Sequence, residues 1–98
     1  MLYVTDRFER WFKNLRDAKG KASIQARLDR IEDGHLGDYK AVGEKIFEAR
    51  IHYGPGYRLY FTLRGLDFVI LLAGGSKSSQ PRDIELAKSE LKRLKDII

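Results

Sequence analysis

The sequence predicts an α+β fold in which two N-terminal helices pack on a small antiparallel sheet and a C-terminal helix follows. Three observations support this prediction. Apolar residues recur with helical spacing near the N-terminus, the pattern changes to alternation in the middle of the chain, and helical spacing resumes after a loop rich in glycine and serine. At 98 residues the chain has room for one core but not for two, so we expect a single domain over residues 1–98.

The first predicted helix is marked by apolar residues at the i, i+3, i+4 and i+7 positions of one face, which are Phe8, Trp11, Phe12 and Leu15. Thr5 precedes them at a position where a hydroxyl side chain caps a helix. We expect this apolar face to pack on the core, with Trp11 largely buried.

A second helix is predicted through Ile24, Leu28 and Ile31, with Gly20 between the two helices and Asp33-Gly34 at its end. The segment that follows, GHLGDYKAVGEK, contains three glycines and no sustained periodicity. We therefore interpret it as a connecting loop between the helices and the sheet.

Two strands are predicted on either side of the turn Gly54-Pro55-Gly56, because the residues there alternate with a period of two. The apolar face carries Phe47, Ala49, Ile51, Tyr53, Tyr57, Leu59, Phe61 and Leu63. The other face carries Glu48, Arg50, His52, Arg58, Tyr60 and Thr62. A third run, FVILLA, is apolar on both faces, which is typical of an enclosed strand.

The last element is an amphipathic helix that we expect to begin at about Arg82. Its apolar stripe comprises Ile84, Ala87, Leu91, Leu94 and Ile98. The loop before it, GGSKSSQPRD, interrupts the strand pattern with small and polar residues.

The charge and the composition limit the possible functions. The formal net charge is +5 and the isoelectric point is near 9.6, which favours a polyanionic partner such as nucleic acid. Cysteine is absent, which excludes disulfides and thiolate chemistry, and neither a signal peptide nor a membrane span is recognisable. We expect a cytoplasmic protein without a metal site, because no HExxH or HxxxH pair is present, and without a cofactor.

Positive charge is concentrated on one predicted face of the sheet. If the helices cover the apolar face, the opposite face presents Arg50, His52, Arg58 and Tyr60, flanked by Lys77 from the loop after the third strand. Taken singly, each cation is most simply a solvated surface residue whose stem covers an aromatic neighbour. Tyr60 is likewise more simply a packing residue, although on this face it is also a candidate for stacking on a base.

As a group, these residues suit cleavage of RNA without a metal ion. In that reaction the 2′-hydroxyl attacks the neighbouring phosphate, negative charge grows, and a proton reaches the leaving 5′ oxygen. Arginine contacts phosphate through two parallel donors, so Arg58 is the first candidate for charge stabilisation. His52 is a candidate acid or base because imidazole titrates near neutral pH. An Arg58→Ala change is expected to remove a surface cation and to leave the fold intact.

Three stretches of the chain resemble a known family of toxins. EARI before the turn, GPGYRLYF across it and LLAGGSKSSQPRDI at the last strand are similar to the addiction-module killer proteins, a branch of the RelE/ParE toxin–antitoxin superfamily with HigB-like members. The resemblance implies helices on an antiparallel sheet and a short first strand, for which LYV at residues 2–4 is the candidate. It also implies cleavage of ribosome-bound messenger RNA and silencing by a cognate antitoxin encoded by an adjacent gene.

The resemblance also implies roles for individual residues. Arg58 matches the family's sheet arginine that contacts the scissile phosphate, and Arg50 lies where relatives place a basic residue on the preceding strand. Lys77 lies in the loop where relatives carry further cations, with Gln80 and Arg82 nearby as RNA-binding candidates. Several relatives have a tyrosine or histidine after the last strand that assists proton transfer, and this chain has neither, so the general acid and base stay unassigned.

Two alternatives to an RNA-cleaving toxin stay open at this point. A second branch of the superfamily poisons DNA gyrase, so the chain is alternatively a toxin that binds gyrase or another protein without cutting RNA. The third possibility is a basic RNA-binding module without toxicity. Growth arrest on induction separates the third from the others, and the fate of messenger RNA and of DNA supercoiling separates the first two.

Overall fold

A computed structural model describes residues 1–65 and 67–97, the side chain of residue 97 excepted. The elements in order are β1 (Leu2–Val4), α1 (Asp6–Asn14), α2 (Ala18–Glu32), β2 (Tyr39–Gly43), β3 (Ile46–Ile51), β4 (Tyr57–Arg64), β5 (Phe68–Ser76), a 3₁₀ turn (Lys77–Ser79) and α3 (Gln80–Ile97). The predicted α+β class, with two N-terminal helices, a sheet and a C-terminal helix, is confirmed.

The first two helices are set by side-chain caps. The Thr5 hydroxyl accepts a hydrogen bond from the Phe8 amide at 3.3 Å and donates to the Leu71 carbonyl at 2.8 Å, so it caps α1 and also ties it to β5. Asp17 caps α2 by accepting from the Gly20 amide at 3.0 Å. The prediction that Gly20 separates the helices is wrong, because the Asp17 cap starts α2 before Gly20.

Gly20 has a packing role inside α2. A Cβ atom at this position would come within 2.6 Å of both the Tyr57 ring and the Asp17 carboxylate, so only glycine lets α2 approach β4 this closely. The Tyr57 hydroxyl donates to the same carboxylate at 2.7 Å. Burial and this hydrogen bond raise the pKa of Tyr57 to about 12.

The sheet has the strand order β1-β5-β4-β3-β2. Strands β2 to β5 pair antiparallel, whereas β1 runs parallel to β5, so the sheet is mixed rather than purely antiparallel. The short first strand implied by the family resemblance is present at Leu2–Val4. Strand β2 lies in the segment that we interpreted as a loop, and that interpretation is wrong: an edge strand that is mostly exposed has no alternation of apolar residues to reveal it.

Helices cover both faces of the sheet, which corrects the expectation of one covered and one open face. α1 and α2 pack against the face that carries Leu59, Phe61 and Leu71. α3 packs on the opposite face, where Tyr60 and Leu72 are buried with other residues of a second apolar cluster. Strand β5 is apolar on both faces and therefore requires cover on both.

Two details of the predicted helices differ in the structure. α3 begins at Gln80, two residues before the predicted Arg82, and Ile98 of its predicted stripe lies outside the described residues. Trp11 is only partly buried, although we expected it to be largely buried. Its ring lies against Gly74, where a Cβ atom would overlap it, and beside the ring of Tyr57 at 6.3 Å between centroids.

Candidate functional site

Two arginines stand opposite each other on neighbouring strands. Arg50 on β3 is in register with Arg58 on β4, and Arg58 is in register with Gly75 on β5. Directly opposed like charges destabilise a sheet unless other groups compensate them. Each arginine here has its own carboxylate: Arg50 Nη2 donates to Asp38 Oδ1 at 3.2 Å, and Arg58 Nη1 donates to Glu48 Oε1 at 2.8 Å.

Glu48 is the centre of a buried polar network under α3. Its carboxylate is fully buried and accepts hydrogen bonds from Arg58 Nη1 and, at 2.7 Å, from Gln80 Nε2. Lys40 Nζ lies 4.0 Å from the same carboxylate. A buried charge is tolerated only when it is paired, so Glu48 depends on these hydrogen bonds. The same bonds hold the Arg58 guanidinium in place and attach Gln80, in the first turn of α3, to the sheet.

Arg58 is therefore mostly covered rather than a free surface cation. Its side chain is 13% exposed, against 35% for that of Arg50. Arg58 Nε is buried and has no hydrogen-bond partner among the described residues. The premise that Arg58 is a surface cation is wrong, and we now expect Arg58→Ala to destabilise the fold, because it leaves the buried Glu48 carboxylate without its cation.

Asp38 organises the exposed part of the site. Its carboxylate bridges Arg50 Nη2 and His52 Nε2, the latter at 3.0 Å, and its carbonyl accepts from the Arg50 amide at 3.1 Å. The hydrogen bonds from His52 and Arg50 hold the pKa of Asp38 below its ordinary value. The His52 side chain is 75% exposed, so Asp38 orients an imidazole that faces solvent.

Arg27 supports this arrangement from the opposite side of the sheet. It lies on α2 and is buried, and its Nη2 donates to the Arg50 carbonyl at 2.8 Å while Nη1 lies 3.4 Å from the Asp38 carbonyl. A Cβ atom at Gly37, whose φ is +72°, would lie 3.1 to 3.4 Å from the Arg27 guanidinium. Burial lowers the pKa of Arg27. One side chain thus fixes the backbone of both Arg50 and Asp38.

Lys77 lies at the same end of the sheet. Lys77 is exposed in the 3₁₀ turn after β5. A Cβ atom added at Gly56 would lie 3.5 Å from the Cβ of Lys77, so Lys77 lies beside the β3–β4 turn. We call Arg50, His52, Arg58 and Lys77 the cationic cluster. Of the predicted RNA-binding residues, Gln80 is tied to this cluster through Glu48, and Arg82 is exposed on the first turn of α3 with its side chain 79% exposed.

Tyr60 does not offer an exposed ring, so the expectation that it is a candidate for stacking on a base is wrong. It is fully buried because α3 covers the face on which it lies. Burial and the nearby Glu48 charge raise the pKa of Tyr60. Within the described residues its hydroxyl lies close to Glu48 without reaching hydrogen-bond geometry.

The sequence did not predict the supporting roles of four residues, namely Arg27, Asp38, Lys40 and Glu48. For Arg27 a signal was present, since it occupies the i+3 position of the stripe Ile24, Leu28 and Ile31 and therefore a core position. Asp38 and Lys40 lay in the segment interpreted as a loop, where no side-chain direction follows from the pattern.

Within residues 1–65 and 67–97, no three potential ligands among His, Asp and Glu come together to hold a metal ion. No helix in the same ranges is long and apolar enough to cross a membrane.

Comparison with known proteins gives one relative and two structural neighbours. No family model matches the chain. An uncharacterized protein of Haemophilus influenzae is 46% identical over 81 residues, which covers 83% of this chain and 82% of that protein, so the two chains belong to one family. A chain of the crystal structure of the intact E. coli RelBE toxin–antitoxin complex has a TM-score of 0.63 at 16% identity, over 78% of this chain and 94% of that chain.

The second structural neighbour covers more of the chain. It is a free-state double mutant of the E. coli toxin RelE, with a TM-score of 0.66 at 16% identity over 95% of both chains. Since the identity is low, these two structures establish a shared fold.

Proposed function

We propose that this chain, which belongs to one family with the Haemophilus influenzae protein and has the fold of RelE, is the toxin of a type II toxin–antitoxin pair. It inhibits translation by cutting ribosome-bound messenger RNA without a metal ion, and it falls in the HigB-like branch of the superfamily. The observation that carries the proposal is the in-register pair Arg50 and Arg58, each oriented by its own carboxylate.

The arginine pair suits a phosphate that gains charge during the reaction. When the 2′-hydroxyl attacks, charge develops on the phosphate oxygens, and a fixed cation at that point lowers the barrier by roughly 3 kcal/mol. Arg58 is held rigidly by Glu48 and needs little reorganisation. Arg50 is more exposed and supplies the second cation from the neighbouring strand. Lys77 holds a flanking phosphate at the end of the same row.

His52 is the candidate for proton transfer. With Asp38 accepting from Nε2, neutral His52 carries its proton on that nitrogen and leaves Nδ1 as the free base. Asp38 then acts as the orienting carboxylate, the role such a group plays for other catalytic histidines. The exposure of His52 lets it reach a bound 2′-hydroxyl.

The partner that silences the toxin is expected to be an acidic segment of a cognate antitoxin. A neighbour with the same fold was solved as a toxin–antitoxin complex. A cationic site for RNA also attracts acidic protein segments, so the complex should weaken as the salt concentration rises. Equal affinity at low and high salt would show that charge plays no part in neutralisation.

The test compares matched variants on ribosomes programmed with a defined message. Arg50→Gln removes one member of the pair, and Arg30→Gln removes an exposed cation of α2 as the control. We expect Arg50→Gln to slow cleavage by about 100-fold and to relieve growth arrest, with Arg30→Gln unchanged.

DNA supercoiling by gyrase is measured in parallel. A wild-type protein that blocks gyrase and leaves the message whole would favour the gyrase-binding alternative. A wild-type protein that neither arrests growth nor cuts RNA would reduce the site to an RNA-binding surface.

A further inference from the structure

A second cationic surface lies along α3, away from the cationic cluster. A groove of about 560 Å³ separates α3 from the β2–β3 turn, and its floor includes Ile46 and Leu91. Four lysines line it, and we call it the lysine groove: Lys45 from the turn, and Lys88, Lys92 and Lys95 from α3. The three helix lysines follow the i, i+4, i+7 spacing of one face and span about 10 Å along the axis.

Both acidic residues of the groove pair with the same lysine, Lys88. Glu85 and Glu44 lie 3.1 Å and 3.8 Å from Lys88 Nζ. Lys45, Lys92 and Lys95 have no carboxylate within ion-pair distance among residues 1–65 and 67–97. Three lysines of the groove therefore remain able to pair with a ligand, and the lining as a whole, with four lysines and two glutamates, has a net charge of +2.

The turn that supplies Lys45 is conformationally strained. Glu44 and Lys45 are adjacent and both have positive φ, at 54° and 67°, in a two-residue turn that favours Asn-Gly. This left-handed backbone is disfavoured for any residue that carries a Cβ atom. Thr62 holds the turn by donating its hydroxyl to the Lys45 carbonyl at 2.7 Å. Strain of this kind is retained where the side chains serve a function, and here both point to the groove.

The groove continues the surface of the cationic cluster. Ile46, at the groove, and Arg50 are four positions apart on β3, a distance of about 13 Å. Lys40 lies between them, since it pairs with Glu48 across β2 and β3 and shares the α3 face of the sheet. A few nucleotides of single-stranded RNA suffice to connect the two sites.

We propose that the lysine groove binds the phosphate backbone of the RNA whose scissile bond lies at the cationic cluster. This inference rests on the proposed function, which it extends by a second contact. The composition favours RNA over an acidic protein segment, because protein–protein interfaces are depleted in lysine and enriched in aromatic residues, whereas nucleic-acid interfaces are strongly cationic. Among the described residues, none that lines the groove is aromatic.

The test replaces Lys45, Lys92 and Lys95 with glutamine. The control variant carries glutamine in place of Lys13, Lys19 and Arg30, which are exposed on α1 and α2. Both variants therefore lose three positive charges. A third variant carries arginine at the three groove positions and keeps the charge. The probes are a fluorescent 2′-O-methyl oligonucleotide, which lacks the attacking hydroxyl, and a polyglutamate peptide.

We expect the glutamine variant of the groove to bind the oligonucleotide about 10-fold more weakly near physiological salt. Its plot of log affinity against log salt should lose a slope of about 2, since each single-strand phosphate contact contributes about 0.7. The arginine variant and the control should bind like the wild type. If both glutamine variants bound the oligonucleotide equally weakly, net charge alone would explain the lost affinity, and the proposal would be overturned.

Two other outcomes would also overturn it: unchanged oligonucleotide binding by the groove variant, and loss of polyglutamate binding alone, which would assign the groove to an acidic protein. Cleavage on programmed ribosomes is measured separately with wild-type protein. A wild-type protein that binds the oligonucleotide through the groove and cuts no message would refute the nuclease and retain the groove as an RNA-binding surface.

Discussion

Arg50 and Arg58 occupy the same row of the sheet and yet have different surroundings. Arg50 pairs with the half-exposed Asp38 at the sheet edge, whereas Arg58 pairs with the fully buried Glu48 beneath α3. Water screens the first pair and is excluded from the second. The comparison shows that position on a strand does not decide how far a cation contributes to stability. The burial of its counter-ion decides that, so we expect Arg58 to contribute more to stability than Arg50.

The largest expected effect is the loss of stability in Arg58→Ala. The change leaves the Glu48 carboxylate buried without its cation, so the free energy of unfolding should fall by about 3 to 5 kcal/mol in urea denaturation. The double change Glu48→Gln with Arg58→Gln removes both charges and should recover most of the loss. A single variant as stable as the wild type would show that Arg58 has no structural role.

A smaller loss of stability is expected for Arg27→Met, which removes the support behind Arg50. The change keeps most of the side-chain volume and takes away the donors to the Arg50 and Asp38 carbonyls, so the free energy of unfolding should fall by about 2 kcal/mol. Cleavage should slow by more than the loss of folded protein explains, because the backbone of the cationic cluster is displaced. We expect kcat to fall and KM to change little. Normal kcat in a destabilised variant would limit Arg27 to a structural role.

Arg50→Gln should change stability least among the arginine variants. Its carboxylate partner is solvated, so the free energy of unfolding should stay within about 0.5 kcal/mol of the wild type. A loss comparable to that of Arg58→Ala in the same denaturation series would remove the contrast between the two arginines.

The smallest effect concerns the pH dependence contributed by Asp38. Its folded-state pKa lies below the ordinary value of 3.8, so its ion pairs stabilise the protein above that pH and lose this contribution as the pH falls through the folded pKa. Asp38→Asn should therefore be less stable than the wild type at neutral pH, and the difference should shrink in strong acid. A difference that persisted unchanged at low pH would assign the effect to lost packing.

The sequence was most informative where a pattern maps directly onto an element. The apolar stripes placed the three helices, and alternation placed β3 and β4 with their faces correctly divided. Strand β2 was missed because its pairing with β3 is held by backbone hydrogen bonds at an edge, which leave no apolar signature. The burial of Glu48 and Tyr60 was missed for a different reason, since it depends on α3 crossing to the second face of the sheet, a tertiary contact that no local pattern encodes.

The chemical ends of the cut message test the central claim most directly. Attack by the 2′-hydroxyl at the arginine pair leaves a 2′,3′-cyclic phosphate on the upstream fragment and a 5′-hydroxyl on the downstream fragment. Wild-type protein acting on programmed ribosomes is expected to give these ends, and Arg50→Gln should give the same ends at about one hundredth of the rate. A 5′-phosphate on the downstream fragment, or an uncut message, would contradict the account.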